Sequence, residues 1–480
     1  MLASVLCSQH SAQRYFVVKL SDDSQEALQR ASRSIVFVDD YYKNVDEDDL
    51  YRHCLNTARA LNPDESLSKL FVLPLEPLSN SSLRLRLLIV VAHEISDGLS
   101  MYHWMSHLIQ ILNTPLLELE KNLNFLLSRE NILSRLPPAQ EDLYPPVAGS
   151  LARQRWFWAI IRILRHVQRP LPPTFVNPLR RTQRLESSIL MPPTYSRIFN
   201  YSPERKPPLN SFQCTASLSQ KASNRLVQLA RAANASIGAG CFALVALTMM
   251  EIEEARHPNI PPSERRPFIA SFPLNPRAFF GYSGPSDSCM LAFSDGIVLP
   301  FLSSGLDIEG RFRLTTRQAD RQLRAYQKRL RSTELSVELA PRSVARLIAN
   351  SYLVAIDRGE SKLSPERRTG INPQGLYPAN MSISGATCGV SSVGSVTQFF
   401  HPGMHKLENV GNGVDFAADF RSVQMGVRAR DNEFLVGSRT DSEGIRFGVS
   451  FDGNAIDEKA VQIWKQRIEA MLDVNETPKL

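Results

Sequence analysis

The chain has 480 residues, of which 43% are hydrophobic, and a formal net charge of +7. This length and apolar content suffice for a large buried core, which we expect to be divided between two domains. The basic residues lack the aromatic interleaving of a nucleic-acid-binding module, so we expect no nucleic-acid partner. No apolar run approaches the roughly 20 residues that a membrane-spanning helix needs, so no transmembrane segment is predicted.

The first 168 residues alternate between predicted strands and helices, which indicates a layered α/β domain. The predicted strands are 15–20, 34–38, 67–74 and 83–92, and the predicted helices are 47–61, 99–112, 116–136 and 153–166. Segment 153–166 is apolar and aromatic with arginines at its ends. Two interpretations remain for it: a helix packed on its own domain, which we favour, or a helix lying on a membrane surface.

Residues 169–210 are rich in proline and arginine, which predicts a linker between a first domain of residues 1–168 and a second of 211–480. In the second domain we predict strands at 212–218, 268–274, 380–383, 423–427 and 444–451, and helices at 226–254, 313–331 and 457–472. Helix 313–331 is the densest basic stretch, and its spacing favours a solvated face over a phosphate site.

The most informative segment is His93-Glu94-Ile95-Ser96-Asp97-Gly98. The preceding stretch, 83–92, alternates leucine with arginine and then becomes wholly apolar, which is typical of a strand passing from half-buried to buried. Asp97-Gly98 is a turn signal, and an amphipathic helix is predicted directly after it. His93 is therefore predicted at the rigid end of a strand, where a catalytic base is well placed.

Four segments together resemble a known superfamily. The first is the HxxxDG pattern of His93–Gly98, and the second is Ser271-Phe272-Pro273-Leu274-Asn275-Pro276-Arg277. The others are Thr215-Ala216-Ser217-Leu218 leading into 223–250, and Ser391-Ser392-Val393-Gly394. They are similar to motifs of the CoA-dependent acyltransferases that include chloramphenicol acetyltransferase, plant alcohol acyltransferases and the condensation domains of peptide synthetases. The resemblance runs from about residue 30 to the C-terminus and is greatest to fungal alcohol acetyltransferases of the trichothecene 15-O-acetyltransferase type.

The sequence departs from the superfamily pattern in three places. Condensation domains usually have a second histidine where this chain has Ala92, and the late Asp-Phe-Gly-Trp-Gly motif of the plant enzymes is replaced by residues 422–428. Both departures favour a stand-alone fungal enzyme. The stretch ahead of the HxxxDG motif is short, and no early helix of the family type is predicted in it, so we expect a truncated or divergent N-terminus.

The resemblance implies a two-lobed α/β fold of the chloramphenicol acetyltransferase type, in which each lobe is a mixed β-sheet flanked by helices and a tunnel lies between the lobes. It also implies a monomeric O-acyltransferase with no bound cofactor. This enzyme would move an acyl group, acetyl by expectation, from a CoA thioester to a hydroxyl of a small secondary metabolite. The positive net charge is compatible with a polyanionic co-substrate such as acetyl-CoA.

The same resemblance gives the site residues their roles. His93 would be the general base, because a neutral imidazole can accept the proton of an alcohol and return it to the leaving thiolate. Asp97 would turn away from the site and pair with Arg277 in a bidentate bridge, while Gly98 would allow close backbone approach or a tight turn. Ser391 and Ser392 are either oxyanion donors or ordinary strand serines.

Other functions have weaker support in the sequence. His93-Glu94 begins like the HExxH motif of zinc peptidases, but the fifth residue is Asp97 and the motif follows a strand, and His103 and His107 have no evident third ligand. We therefore expect no metal. A carrier-protein-dependent condensation enzyme and a non-acylating member that acts as a binding or pericyclic scaffold remain as alternatives. The presence of both His93 and Arg277 argues against the scaffold.

Cysteine usage and the chain ends favour the cytosol. The six cysteines have no CxxC pair or regular spacing, which indicates reduced thiols, and Cys241 lies in an apolar run typical of a core position. The first residues lack the basic region of a signal peptide. The terminal Pro478-Lys479-Leu480 matches two residues of the Ser-Lys-Leu peroxisomal address, which leaves a peroxisomal location as a weak alternative.

Overall fold

The computed structural model describes residues 3–7, 14–18, 20–21, 23–56, 60–62, 65–78, 82–167, 171–186, 191–202, 210–284, 286–327, 339–340, 342–361, 364–367, 385–410 and 416–473. In these ranges the helices are α1 (Ser24–Ser32), α2 (Glu47–Asn56), α3 (Gly98–Leu112), α4 (Leu116–Leu127), α5 (Arg129–Arg135), α6 (Leu151–Val167), α7 (Gln220–Ala232), α8 (Ile237–Arg256), α9 (Arg277–Phe280), α10 (Ile308–Gln327), α11 (Val344–Ser361) and α12 (Glu458–Ala470). The strands are β1 (Ala3–Cys7), β2 (Arg14–Val18), β3 (Ile35–Phe37), β4 (Ser68–Val72), β5 (Glu76–Pro77), β6 (Leu83–Arg84), β7 (Leu87–Val91), β8 (Ser211–Ser217), β9 (Phe268–Ser271), β10 (Pro273–Leu274), β11 (Ala292–Phe293), β12 (Ile297–Leu299), β13 (Cys388–Ser395), β14 (Phe434–Asp441) and β15 (Gly444–Asp452).

The C-terminal half is built on a six-stranded mixed sheet with the strand order β12-β9-β13-β14-β15-β8. Strand β13 is parallel to both of its neighbours, and the remaining pairs are antiparallel. Helix α8 packs against this sheet, and every residue from Ala239 to Met250 is buried. A helix that is apolar on all sides is stable only inside a core. Cys241 lies there, and burial raises the pKa of its thiol to about 11.

The N-terminal half contains a smaller sheet with the order β3-β4-β7. Its core includes Leu50 of α2 and Phe71 of β4, together with Tyr195 and Phe199 from the predicted linker. Further upstream in the same segment, Phe175 packs in the core of the six-stranded sheet. The Pro-rich segment is therefore in contact with both halves of the protein.

The two halves meet where α3 packs against the chain that continues from β13. Tyr102 of α3 is buried with Val396 and Phe400, and Val393 packs against this cluster. The pairing register between β13 and β14 shifts between Ser392 and Gly394, where Gly394 has φ +83°. This β-bulge lies at Val393, next to the cluster that joins the two halves.

Helix α6 packs through Phe157 and Ile161 against α11, while Trp156 and Ile163 on its other side are exposed. Of the two interpretations of segment 153–166, the structure agrees with the packed helix. No single helix among the described residues is long and apolar enough to cross a membrane, and α7 and α8 meet that test only jointly, across a bend of 111°.

That bend corrects one prediction from the sequence. A single helix was expected over 226–254, but the chain breaks between α7 and α8, where Asn234 has φ 54° and Ser236 caps α8 by accepting a hydrogen bond from the Ala239 amide. Asparagine tolerates the left-handed region and serine is a preferred N-cap, so both residues favour the break. The 116–136 region is likewise two helices, with Ser128 as the N-cap of α5.

Other predictions also need correction. Segment 83–92 is two short strands, because β6 pairs with β5 whereas β7 pairs with β4. Segment 423–427 is not a strand, since its polar groups bond side chains: the Val427 amide donates to Ser450, and Arg439 donates to the Val423 carbonyl.

Some elements were not predicted at all, and they include α1, α11, β12 and β14. The prediction of a strand at 380–383 concerns residues outside the described ranges, as does the C-terminal tripeptide.

His53 connects the predicted linker segment, residues 169–210, to the first half of the protein. This side chain of α2 is only 1% exposed, and its Nδ1 lies 2.5 Å from the Tyr201 hydroxyl. Burial lowers the pKa of His53 below its ordinary value of 6.5, opposed by nearby Asp49 and assisted by Arg52. In the folded protein the imidazole of His53 is therefore protonated at a lower pH than in the unfolded chain.

This gives a prediction on stability. As the pH falls through 6.5 the unfolded chain binds more protons than the folded one, so the unfolding free energy decreases. His53→Gln keeps a hydrogen-bonding side chain that does not titrate. We expect denaturant unfolding to show a larger loss of stability for wild type than for His53→Gln between about pH 7.5 and about pH 5.5. The exposed His107→Gln is the control, and parallel curves for wild type and His53→Gln would contradict the prediction.

Candidate active site

His93 lies in a tight turn directly after β7. The antiparallel pairing of β7 with β4 continues one residue past the strand, since the Ala92 amide donates to the Leu67 carbonyl at 2.8 Å. The Ile95 amide then bonds the Ala92 carbonyl and closes the turn. The His93 side chain is exposed, in contrast to the buried Ser96 and Asp97 that follow it. The sheet thus fixes the backbone on one side of His93 while its imidazole is accessible.

One carboxylate oxygen of Asp97 caps the N-terminus of α3. Its Oδ1 accepts hydrogen bonds from the Leu99 and Ser100 amides, each at 2.9 Å, and the Ser100 hydroxyl accepts from the Asp97 amide. This is a capping box, which satisfies amides at the helix start that have no partner within the helix. A carboxylate at this end also interacts favourably with the helix dipole.

The other oxygen of Asp97 binds the second half of the protein. Its Oδ2 accepts from Arg277 Nη2 at 2.7 Å and from the Met290 amide at 2.9 Å. Asp97 and Arg277 are each 6% exposed. The ion pair uses one guanidinium nitrogen, which differs from the bidentate bridge that we expected, because Nη2 also donates to the Ser288 carbonyl and Nη1 donates to Asn275 Oδ1.

Both carboxylate oxygens of Asp97 thus accept hydrogen bonds from groups other than the His93 imidazole. Within the described part of the chain, no hydrogen bond joins the Asp97 carboxylate to the side chain of His93. The arrangement differs from a catalytic triad, in which the carboxylate accepts a hydrogen bond from the imidazole. The Asp97 carboxylate instead connects the His93 turn to the second half of the protein.

Gly98 is the first residue of α3, and its side of the turn is open. A Cβ atom added there would have no neighbour within 4 Å, and its φ lies outside the left-handed region. The backbone at this position therefore does not require glycine for a turn. Of the two expected roles, close backbone approach is the one compatible with this geometry.

Ser391 and Ser392 lie on β13, in the middle of the large sheet. Ser391 is half-buried and Ser392 is exposed, next to the β-bulge. The Ser392 hydroxyl lies near Gly238 at the start of α8, and the Ser391 carbonyl accepts a hydrogen bond from Ser438. The structure brings Asp97 and Arg277 into contact, but no hydrogen bond in the described ranges joins either serine hydroxyl to the His93 turn.

A further element of the site was not predicted from the sequence: the strap, which we define as residues 287–291. Each of its five residues forms a hydrogen bond that holds it in place. The pairs are Asp287 O with Trp104 Nε1 (2.8 Å), Ser288 O with Arg277 Nη2 (2.5 Å), Cys289 Sγ with His93 O (3.6 Å), Met290 N with Asp97 Oδ2 (2.9 Å) and Leu291 N with Gln140 Oε1 (2.7 Å). The local signal is the run of small and polar residues Ser286-Asp287-Ser288 at its start, which predicts a loop but not its partners.

Comparison with known proteins gives a structural likeness and no sequence match. No protein-family model matches the chain, and no curated protein matches its sequence. Among solved structures, the trichothecene 15-O-acetyltransferase TRI3 of Fusarium sporotrichioides superposes with a TM-score of 0.58 at 12% identity, covering 98% of this chain and 83% of that one. The first condensation domain of the CDA synthetase has a TM-score of 0.48 at 13% identity, with coverages of 98% and 83%.

The likeness to the acetyltransferase decides the fold. The chain has the two-lobed chloramphenicol acetyltransferase-like fold. In this description the lobe with β3, β4 and β7 carries His93 and Asp97, and the lobe with the six-stranded sheet carries Arg277, the strap and β13. The candidate active site is therefore assembled from both lobes. At such low identity the likeness extends to the fold alone.

The buried ion pair between Asp97 and Arg277 makes a testable prediction. Asp97→Asn and Arg277→Met should each lower the unfolding free energy by about 3–5 kcal/mol, because each leaves one buried charge without its partner. The double variant should lose less than the sum of the two losses, since both changes remove the same interaction. Thermal or denaturant unfolding of the four proteins measures this.

The matched control is the exposed pair Glu76 and Arg84, whose charged atoms lie 3.3 Å apart. Glu76→Gln and Arg84→Met should have small effects that add, since an exposed ion pair contributes about 0–1 kcal/mol. Additive losses at Asp97 and Arg277 as well would show that the ion pair does not couple the lobes.

Proposed function

We propose that this protein is an O-acyltransferase that moves an acetyl group from acetyl-CoA to a hydroxyl of a small secondary metabolite, with His93 as the general base. The observation that carries the proposal is the exposed imidazole at the end of β7, on a turn whose carboxylate is engaged by the opposite lobe. The likeness of the fold to a solved acetyltransferase supports the same class of reaction.

In the proposed reaction, His93 accepts the proton of the acceptor hydroxyl while the oxygen attacks the thioester carbonyl. The tetrahedral intermediate then collapses, the carbon–sulfur bond breaks, and the imidazolium returns the proton to the departing thiolate. No acyl-enzyme is formed. Because a neutral alcohol is a poor nucleophile at neutral pH, removal of its proton in the transition state is the contribution that the base makes.

Asp97 and Arg277 contribute by holding the turn, in this proposal. Oδ1 of Asp97 caps the N-terminus of α3, and Oδ2 accepts a hydrogen bond from Arg277 of the other lobe. The backbone of the turn is therefore held by contacts to both lobes. Ser391 and Ser392 are the candidate oxyanion donors, from the late Ser-Val-Gly segment in β13, and an ordinary structural role in the strand is the alternative for both. Gly98 leaves open space at the helix start for the approach of a substrate.

Free acetyl-CoA is the proposed donor, and the proposed setting is a monomer in the cytosol. Ala92 stands where condensation domains usually have a histidine, which favours a free CoA thioester over one attached to a carrier protein. The trichothecene enzyme of the same fold is named for the acetylation of a hydroxyl, which supports an alcohol as the acceptor.

The base is tested by His93→Ala. Release of free CoA from acetyl-CoA, measured with a thiol reagent across a panel of hydroxylated metabolites, should fall by at least about a hundredfold, since a positioned base contributes roughly 10²–10⁴. The melting temperature should be unchanged because the side chain is exposed. His107→Ala, another exposed histidine in the same lobe, should retain wild-type turnover. Turnover of His93→Ala within about tenfold of wild type would remove His93 as the base.

The donor is tested separately by calorimetry. Acetyl-CoA should bind the purified protein without any carrier protein, and desulfo-CoA, which keeps the nucleotide but has no thiol, should compete for the same site. If acetyl-CoA fails to bind while an acyl group is transferred from a loaded carrier protein, the protein is a condensation enzyme instead.

A further inference from the structure

The strap crosses the lobe boundary at the candidate base. Three of its contacts reach the stretch of chain that carries His93: the main chain of His93 itself, the Asp97 carboxylate and the Trp104 indole. These partners come from the first lobe, while the strap comes from the second. The two ends of the strap are also fixed, by Trp104 at Asp287 and by Gln140 at Leu291.

The contact to the base is made by Cys289. Its sulfur lies 3.6 Å from the His93 carbonyl, within the range in which a thiol donates a hydrogen bond. Four other cysteines of the described residues are buried, whereas Cys289 is half-buried at the site. Burial, and next to it the negative charge of Asp97, raise the pKa of the Cys289 thiol to about 12. A thiol with this pKa keeps its proton at neutral pH, as a donor must.

Trp104 holds the first residue of the strap, Asp287. Its indole nitrogen donates to the Asp287 carbonyl at 2.8 Å from α3, the helix that begins at Asp97. The indole N–H is a donor only, so Trp104 can take part in this bond only as the donor. The strap is therefore bonded to α3 at its start, through Asp97, and again within the second turn of that helix, through Trp104.

We propose that Trp104 and Cys289 are positioning residues for the reaction at His93, acting through the strap. Trp104 holds the strap on α3, and Cys289 fixes the main-chain carbonyl of His93, so that the imidazole points to the acceptor hydroxyl. The proposal rests on the function proposed above, because it takes His93 as the base. Neither residue is assigned a contact with substrate.

The expected effect follows from the sensitivity of catalysis to position. A displacement of about 1 Å at a reacting group can reduce the rate by about a hundredfold. Loss of a strap contact should therefore lower kcat, whereas KM for either substrate should change little, since the affected bonds are made to the protein main chain. A residue that only supported the fold would lower the melting temperature and the amount of active enzyme instead.

The experiment compares two pairs of variants in the full-length protein. Trp104→Phe keeps an aromatic ring but loses the N–H, and Trp156→Phe makes the same chemical change at an exposed position on α6. We expect Trp104→Phe to lower kcat about tenfold or more with KM within about twofold, and Trp156→Phe to match wild type. Cys289→Ala should lower kcat, and Cys289→Ser, which keeps a donor, should recover part of the loss.

Hydrogen exchange of the amides of residues 92–98 gives a readout that needs no acceptor substrate. Faster exchange in Trp104→Phe and Cys289→Ala than in Trp156→Phe is expected, because the turn loses its restraint from the second lobe. If Trp104→Phe does not fold, the comparison of Cys289→Ala with Cys289→Ser decides alone.

Two results would overturn the inference. The first is wild-type kcat in both Trp104→Phe and Cys289→Ala. The second is unchanged exchange at residues 92–98 in both variants. If wild type transfers no acyl group to any acceptor, the proposed function has failed, and the exchange measurement still decides whether the strap restrains the His93 turn.

Discussion

The structure of the candidate site depends on how the carboxylate of Asp97 divides its two oxygens. One oxygen caps α3 and so fixes where the helix starts relative to β7. The other accepts from Arg277 and from the Met290 amide, both in the second lobe. Four hydrogen-bond donors offset much of the free-energy cost of removing this carboxylate from water. A buried carboxylate without these donors would strongly destabilise the fold. The same group therefore sets local structure and the relation between the lobes.

The contact between the lobes extends along α3 on both sides of the site. At its start the helix is bonded to Arg277 and to the strap, and along its length Tyr102 packs with Val396 and Phe400 of the chain after β13. The β-bulge at Ser392 and Gly394 lies at this junction. Since bulges change the direction of side chains, its position next to the candidate oxyanion residues links the packing of the lobes with the shape of the site.

The geometry also separates this site from a Ser-His-Asp type arrangement, although histidine and aspartate are only four positions apart. In a triad the carboxylate orients the imidazole directly. Here the carboxylate is buried and all of its hydrogen bonds go to groups other than the imidazole, whereas the imidazole is exposed. For this reason the proposed positioning of His93 relies on main-chain contacts of the turn, including the contact that Cys289 of the strap makes to the His93 carbonyl.

The sequence by itself determined the local unit that carries the site. Strand, turn and helix around His93 follow from the apolar run, the Asp-Gly pair and the spacing of α3, because those signals act over a few residues. The two-lobed fold was expected because motifs spread along the chain resemble those of a known superfamily. The break between α7 and α8 was missed, although Asn234 and Ser236 carried a local signal for it.

The resemblance predicted that Asp97 and Arg277 meet, but only the tertiary structure decided the geometry of their contact and which further groups join them. Arg277 uses a single nitrogen for Asp97 because the Ser288 carbonyl and Asn275 engage the same guanidinium, and the Met290 amide reaches the carboxylate from 193 positions away. Residues 423–427 have a strand-like pattern but bond side chains and pack on α3 instead. Hydrophobic periodicity records which face of a segment is buried, and it contains no information on which distant segment will cover that face.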